Sequence, residues 1–208
     1  MIVVITLPHS LPREDEALAL IAAQEGVTIH LRRHNGIEAL ADTVRRVCGN
    51  DPGMLMRFSV HHNAQTAFHH RMGGTHRRFA ERNEPCHGRL SLSCHSTDEA
   101  ATALYEGKAD YIFLSPVFDS ISKPGYASAF DLDRLRAFLR SLPTGMRQKV
   151  VALGGVTGEN ITICREAGFG GAAMIGSAWV VRDGEIDPES TLDNIIKMRD
   201  KWQQTETR

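Results

Sequence analysis

Val151-Ala-Leu-Gly-Gly-Val156 and Ala172-Ala-Met-Ile-Gly-Ser177 carry the strongest structural signal in the chain. Each is a short apolar run that ends in glycine ahead of the next segment. An apolar run without alternation suits a strand covered on both faces. Glycine at its end lets backbone N–H groups approach an anion, and a helix starting there adds a favourable dipole. Outward from these two stretches, strand-like and helix-like segments alternate. Strands are expected at Met1–Leu7, Val27–Arg32, Met54–Val60, Gly74–Phe79, Arg89–Ser96, Ala109–Val117, Lys149–Val156 and Gly171–Ala178. Helices are expected at Glu14–Gln24, Ile37–Val47, Ala64–Met72, from Ser96 onward, and at Leu132–Leu142, Glu159–Ala167 and Ser190–Trp202. A helical crossover after each strand makes neighbouring strands parallel, and eight such units close into an α/β (β/α)8 TIM barrel. The alternative is an open doubly wound sheet, but no G-x-G-x-x-G follows the first strand.

Composition bounds the rest. The 208 residues fit one domain, 1–208, with 42% apolar and 24% charged residues. A net charge of −1 gives no reason to expect nucleic acid or an anionic membrane as partner. No apolar run reaches the length of a membrane span, and the opening MIVVITLPHS lacks the basic start of a signal peptide. The four cysteines, Cys48, Cys86, Cys94 and Cys164, form no CxxC pair, and a cytoplasmic location is expected. Self-association into a homo-oligomer is left open.

Four segments carry candidate chemistry. The glycine turns after strands seven and eight stand where barrels commonly bind phosphate. The stretch Asp110–Lys123 ends a strand in Ser115-Pro116 and then presents Ser120, Ser122 and Lys123, a set suited to phosphate oxygens. In Ser91-Leu-Ser-Cys-His-Ser96, alternation puts Ser91, Ser93 and His95 on one side, with His95 at the C-terminal end where catalytic residues of barrels gather. Imidazole there can move a proton near neutral pH. In His30-Leu-Arg-Arg-His34, Arg32 shares a face with His30 and His34 and suits bidentate phosphate binding. Six of the ten histidines, His61, His62, His69, His70, His76 and His87, crowd one polar stretch, as surface groups or as ligands.

Together these segments, in this order and spacing, resemble thiamine phosphate synthase and its relative, the thiazole tautomerase, over roughly Met1 to Val180. The resemblance implies an enzyme of thiamine biosynthesis whose substrates are a phosphorylated thiazole and a phosphorylated pyrimidine. Coupling joins hydroxymethylpyrimidine diphosphate to thiazole phosphate, uses Mg²⁺ and releases diphosphate. Carried over, Gly154, Gly155, Ile175 and Gly176 hold the thiazole phosphate with Ser120 assisting, while Arg32, Ser93 and Lys123 face the diphosphate. The chain departs from the family at its metal positions. Asn-Asp after strand three becomes His61-His62, and the second aspartate falls near Glu81, so His62 and Glu81 are the candidate metal ligands. Imidazole suits Zn²⁺, Ni²⁺ or Cu²⁺ better than Mg²⁺. A transition-metal site of His61, His62 and Glu81 is therefore one alternative. Metal-free tautomerisation by proton transfer at His95 is a second, and a non-catalytic phosphate-binding barrel a third.

Overall fold

Eight short strands form the inner wall. In the computed structural model, which describes residues 1–49, 51–119 and 130–204, they are β1 (Ile2–Ile5), β2 (Val27–Leu31), β3 (Phe58–His61), β4 (Gly74–Arg78), β5 (Arg89–Cys94), β6 (Tyr111–Leu114), β7 (Val150–Leu153) and β8 (Gly171–Met174). Each pairs in parallel with the next, and β8 returns to β1, so the sheet is a closed barrel. The (β/α)8 class read from the sequence holds.

The outer layer is α1 (Glu14–Ala22), α2 (Ile37–Cys48), α3 (Pro52–Leu55), α4 (Ala64–His69), α5 (Thr97–Glu106), α6 (Leu132–Ser141), α7 (Thr144–Arg147), α8 (Ile161–Ala167) and α9 (Pro188–Gln203). Local chemistry sets these boundaries. The Ser96 hydroxyl accepts from Glu99 N to start α5, and Asp187 accepts from Ser190 N with Pro188 in the first turn of α9. On α2, Leu40, Ala41, Val44 and Cys48 form one buried stripe at helical spacing. Outward-facing strand residues such as Ile29, Val60 and Ile112 join the helices in the main core.

Three local expectations are corrected. The apolar Met54–Met56 stretch does not begin β3, because Asp51-Pro52 is a helix start: the Asp51 carboxylate accepts from Gly53 N and Met54 N and nucleates α3. That shifts β3 onto Phe58–His61 and brings His61 into the sheet. The segment Gly171–Ala178 splits into β8 and a 3-10 turn at Gly176–Ala178. Finally, β4 is followed only by a 3-10 turn, Phe79–Glu81, while a two-stranded hairpin, β9 (Val181–Arg182) with β10 (Glu185–Ile186), precedes α9. No helix among the described residues is long and apolar enough to cross a membrane.

The barrel lumen is two-sided. Val3, Ile5, Tyr111, Phe113, Val151 and Ala173 form a separate apolar cluster, with Leu153 and Ile175 packed against it. These come from β1, β6, β7 and β8. The arc β2–β5 contributes buried polar groups instead: His30, Ser59, His76 and Ser91.

Candidate active site at the barrel mouth

The C-terminal strand ends supply every described candidate. After β7, Gly154 (φ 94°) and Gly155 (φ 63°) take left-handed conformations. A Cβ at Gly154 would lie 2.8 Å from Pro116 Cα, and one at Gly155 would lie 2.4 Å from the Asp119 carbonyl oxygen. These two glycines therefore let the β7 turn lie against the segment after β6. Gly176, after β8, differs: it is exposed, and a Cβ there meets nothing within 4 Å. The two turns are tied together, since Ser177 Oγ donates to the Val156 carbonyl at 2.6 Å and Asn160 Nδ2 donates to the Gly155 carbonyl at 2.8 Å. Asn194 from α9 donates to the Ser177 and Ala178 carbonyls. The expected helix dipole is weaker than the sequence suggested. Helix α8 starts at Ile161, and only a three-residue turn follows β8.

His95 sits just past β5 and is exposed. Its Nδ1 lies 3.1 Å from the Ser115 carbonyl, which can only accept, so Nδ1 carries the proton and Nε2 of the neutral ring is the basic nitrogen. The Glu99 carboxylate accepts from His95 N at 2.7 Å and pins the residue to the start of α5. Ser93 lies one inward position below, its hydroxyl 2.7 Å from His76 Nε2. Arg32 is exposed at the end of β2, its backbone locked by Thr6: Arg32 N donates to Thr6 Oγ1, and Thr6 Oγ1 donates to Arg32 O. Its charge is among the influences lowering the pKa values of His61 and His76. Ile175 is half-buried on the apolar side. Ser120 and Lys123 lie in 120–129, outside the described residues.

The histidines divide into two sets. His62 (φ 59°) faces out on the rim, its Nδ1 3.0 Å from Glu81 Oε2, and Glu81 also accepts from Arg78 Nε at 2.8 Å. His61 does not join them. It turns into the lumen beside His30 and His76, so the grouping of His61 with His62 and Glu81 is corrected by strand direction: consecutive residues at a strand end point opposite ways. His30 Nδ1 is 3.0 Å from His61 Nε2, and His30 Nε2 is 2.6 Å from Tyr111 Oη. Burial lowers the His30 pKa to about 3 and holds His61 and His76 well below the ordinary imidazole value, with cationic neighbours reinforcing it. All three rings are neutral at pH 7. Among the described residues, the rim position expected for Mg²⁺ has one carboxylate, Glu81, already paired to Arg78 and His62. A hard ion that prefers several oxygens does not fit this donor set.

The fold is that of the parallel (β/α)8 barrels, a class whose active sites lie at the strand C-termini and whose turns after β7 and β8 frequently form a phosphate site. Comparison with known proteins agrees. The thiamine monophosphate synthase family model matches residues 2–178, and the chain belongs to this family. Thiamine-phosphate synthase of Chloroflexus aurantiacus is 36% identical over 96 residues, which is 45% of this chain and 41% of that protein. That of Latilactobacillus sakei is 36% identical over 92 residues, 43% and 38% of the two chains. These alignments span less than half the length of either curated relative. A crystal structure of thiamine phosphate pyrophosphorylase from Bacteroides thetaiotaomicron superposes with a TM-score of 0.78 at 20% identity, covering 96% of both chains. That from Pyrococcus furiosus gives 0.70 at 22% identity, covering 97% and 95%. At such identities the structural likeness speaks for the fold.

Proposed function

We propose that this protein is a thiamine-biosynthetic transferase that couples a pyrimidine diphosphate to a thiazole phosphate with release of diphosphate. The observation that carries this reading is that Arg32, at the end of β2, and the open glycine turn at Gly176, after β8, share one stretch of the rim with only β1 between their strands. Arg32 offers a cation to a leaving diphosphate, and the turn offers backbone amides to a phosphate monoester. Departure of diphosphate leaves a pyrimidine cation, so charge placed on the leaving oxygens lowers the barrier. Ser93 contributes a hydroxyl toward the same oxygens, and Ile175 with Leu153 gives the heteroaromatic rings an apolar surface. The family's coupling uses Mg²⁺. The described rim residues do not fit that ion.

Tautomerisation of the thiazole phosphate is the second reading, favoured by one observation. His95 is held as the Nδ1–H tautomer with Nε2 basic, as a proton-transfer group requires. A single experiment separates the two. Thiamine phosphate formation is followed from both substrates, and solvent-deuterium incorporation is followed into the thiazole phosphate alone, each with and without EDTA. Coupling is expected in the wild type, with Arg32→Ala slowing it ~100-fold or more, the scale of one aligned charge donor. Deuterium exchange without coupling, abolished in His95→Ala, would replace the synthase reading by the tautomerase. Thiazole phosphate bound without either reaction would leave a binding barrel.

A further inference from the structure

Three imidazoles from adjacent strands meet inside the barrel, below the groups assigned to phosphate binding. His30 (β2), His61 (β3) and His76 (β4) each occupy an inward position, and His61 and His76 are direct partners in the strand register. Their ring centroids are 5.1 Å (His30–His61), 5.3 Å (His30–His76) and 4.1 Å (His61–His76) apart. One nitrogen from each lies within 4.8 Å of the other two, and this is the one such cluster of three donors among the described residues. His30 and His76 are buried, at 0% and 1% exposure, while His61 above them is half-buried and faces the mouth.

We infer that His30, His61 and His76 form a site for a divalent transition ion of the Zn²⁺ type, with its fourth position open toward the barrel mouth. Nitrogens bound to a tetrahedral ion at about 2.0–2.1 Å stand roughly 3.3 Å apart. The observed 3.0 Å between His30 Nδ1 and His61 Nε2 already has that spacing. His76 offers the third nitrogen, within 4.8 Å of the other two. The far nitrogens of His30 and His76 also have partners of the kind that orient metal-binding histidines. With Nδ1 on the ion, His30 Nε2–H donates to Tyr111 Oη, now at 2.6 Å. With Nε2 released from Ser93 to the ion, His76 Nδ1–H donates to Ser91 Oγ, now at 2.8 Å. His30 and His76 are then neutral, each with its single proton placed. No carboxylate or thiolate belongs to the cluster, so borderline ions are favoured over Mg²⁺ or Ca²⁺. The inference does not require the proposed reaction, although the two meet at Ser93, which His76 releases to bind the ion.

The test uses the full chain, stripped by chelator and titrated with Zn²⁺ alone against a chromophoric competitor. One ion per chain is expected in the wild type, undisturbed by excess Mg²⁺. His61→Ala is expected to weaken binding ~100-fold or more, beyond what loss of an outer hydrogen bond produces. His62→Ala and Cys86→Ser, which remove the rim imidazole and the exposed thiol, are expected to leave it unchanged. Zn²⁺ is expected to raise the melting temperature of the wild type and not that of His61→Ala. X-ray absorption at the zinc edge of the loaded wild type, which needs no variant to fold, is expected to show three imidazole nitrogens and no sulfur. Absence of stoichiometric binding, retention in His61→Ala, loss in His62→Ala, or sulfur in the coordination shell would each overturn the site.

Discussion

At the residue scale, the reading of His95 turns on one acceptor. The Ser115 carbonyl fixes which nitrogen carries the proton, and Glu99 fixes where the residue starts α5. His95→Ala is expected to lower any proton-transfer rate ~100-fold or more while thiazole phosphate still binds, checked by initial rates beside calorimetry. Glu99→Ala should produce a smaller loss, because it loosens the backbone and leaves the imidazole in place. An undiminished rate in His95→Ala would remove the residue from the chemistry. The place of His95 just past β5 was legible from strand alternation, whereas a proton-transfer role for it came from the family resemblance. The histidine triad was not legible. His61 fell outside a third strand placed too early, and without it the inward parity of His30 and His76 had no third member.

At the element scale, the two glycine turns predict opposite outcomes that their sequences do not distinguish. Gly155→Ala puts a Cβ against Asp119 O at a left-handed φ, so the segment after β6 must move. About 1 kcal/mol or more of stability should go with it, read as a lower denaturant midpoint at unchanged slope. Gly176→Val meets open space and should fold normally yet lose affinity for phosphate esters. Equal affinity in a folded Gly176→Val would show that the anion does not sit there. A third element-level feature is the buried ion pair of Arg33 and Glu14, at 6% and 5% side-chain exposure, which ties the end of β2 to α1. Removing one partner by Arg33→Met strands the other charge and should cost ~3–5 kcal/mol, whereas the double change with Glu14→Gln should restore most of it. Urea melts of the three variants decide this. The sequence showed both residues but not the pair, because nothing local relates positions 14 and 33. The helix start at Asp51-Pro52, by contrast, was readable and was outweighed by the apolar residues after it.

At the scale of the whole molecule, the polar arc of the lumen sets the acid limit of the fold. His30, His61 and His76 have folded pKa values below the ordinary 6.5, so the unfolded chain binds more protons as pH falls. Their contribution is complete above pH 6.5 and is lost as pH falls from there through the folded values, that of His30 lying at about 3. The melting temperature of the wild type should fall with acidification from pH 6.5. The slope between pH 6.5 and 4.5 should be shallower in His30→Gln, where one of the three titrating groups is gone and a polar side chain remains. Identical slopes would mean the rings are reached by solvent protons in the folded state. The barrel itself was legible because eight covered strands and their crossovers leave a periodic trace. The sorting of its lumen into two halves was not, since each strand contributes only two or three inward residues and the pattern exists only around the closed ring.

That sorting has a stereochemical consequence. A flat heteroaromatic ring has two equivalent faces in water, but a ring standing upright between the two arcs would have Leu153 and Ile175 toward one face and His61 and Ser93 toward the other. Its faces would no longer be equivalent, so a partner would approach from one of them only. If the proposed coupling is the reaction, a methylene made chiral by a single deuterium should give one configuration of product, a handedness the unlabelled molecules do not reveal.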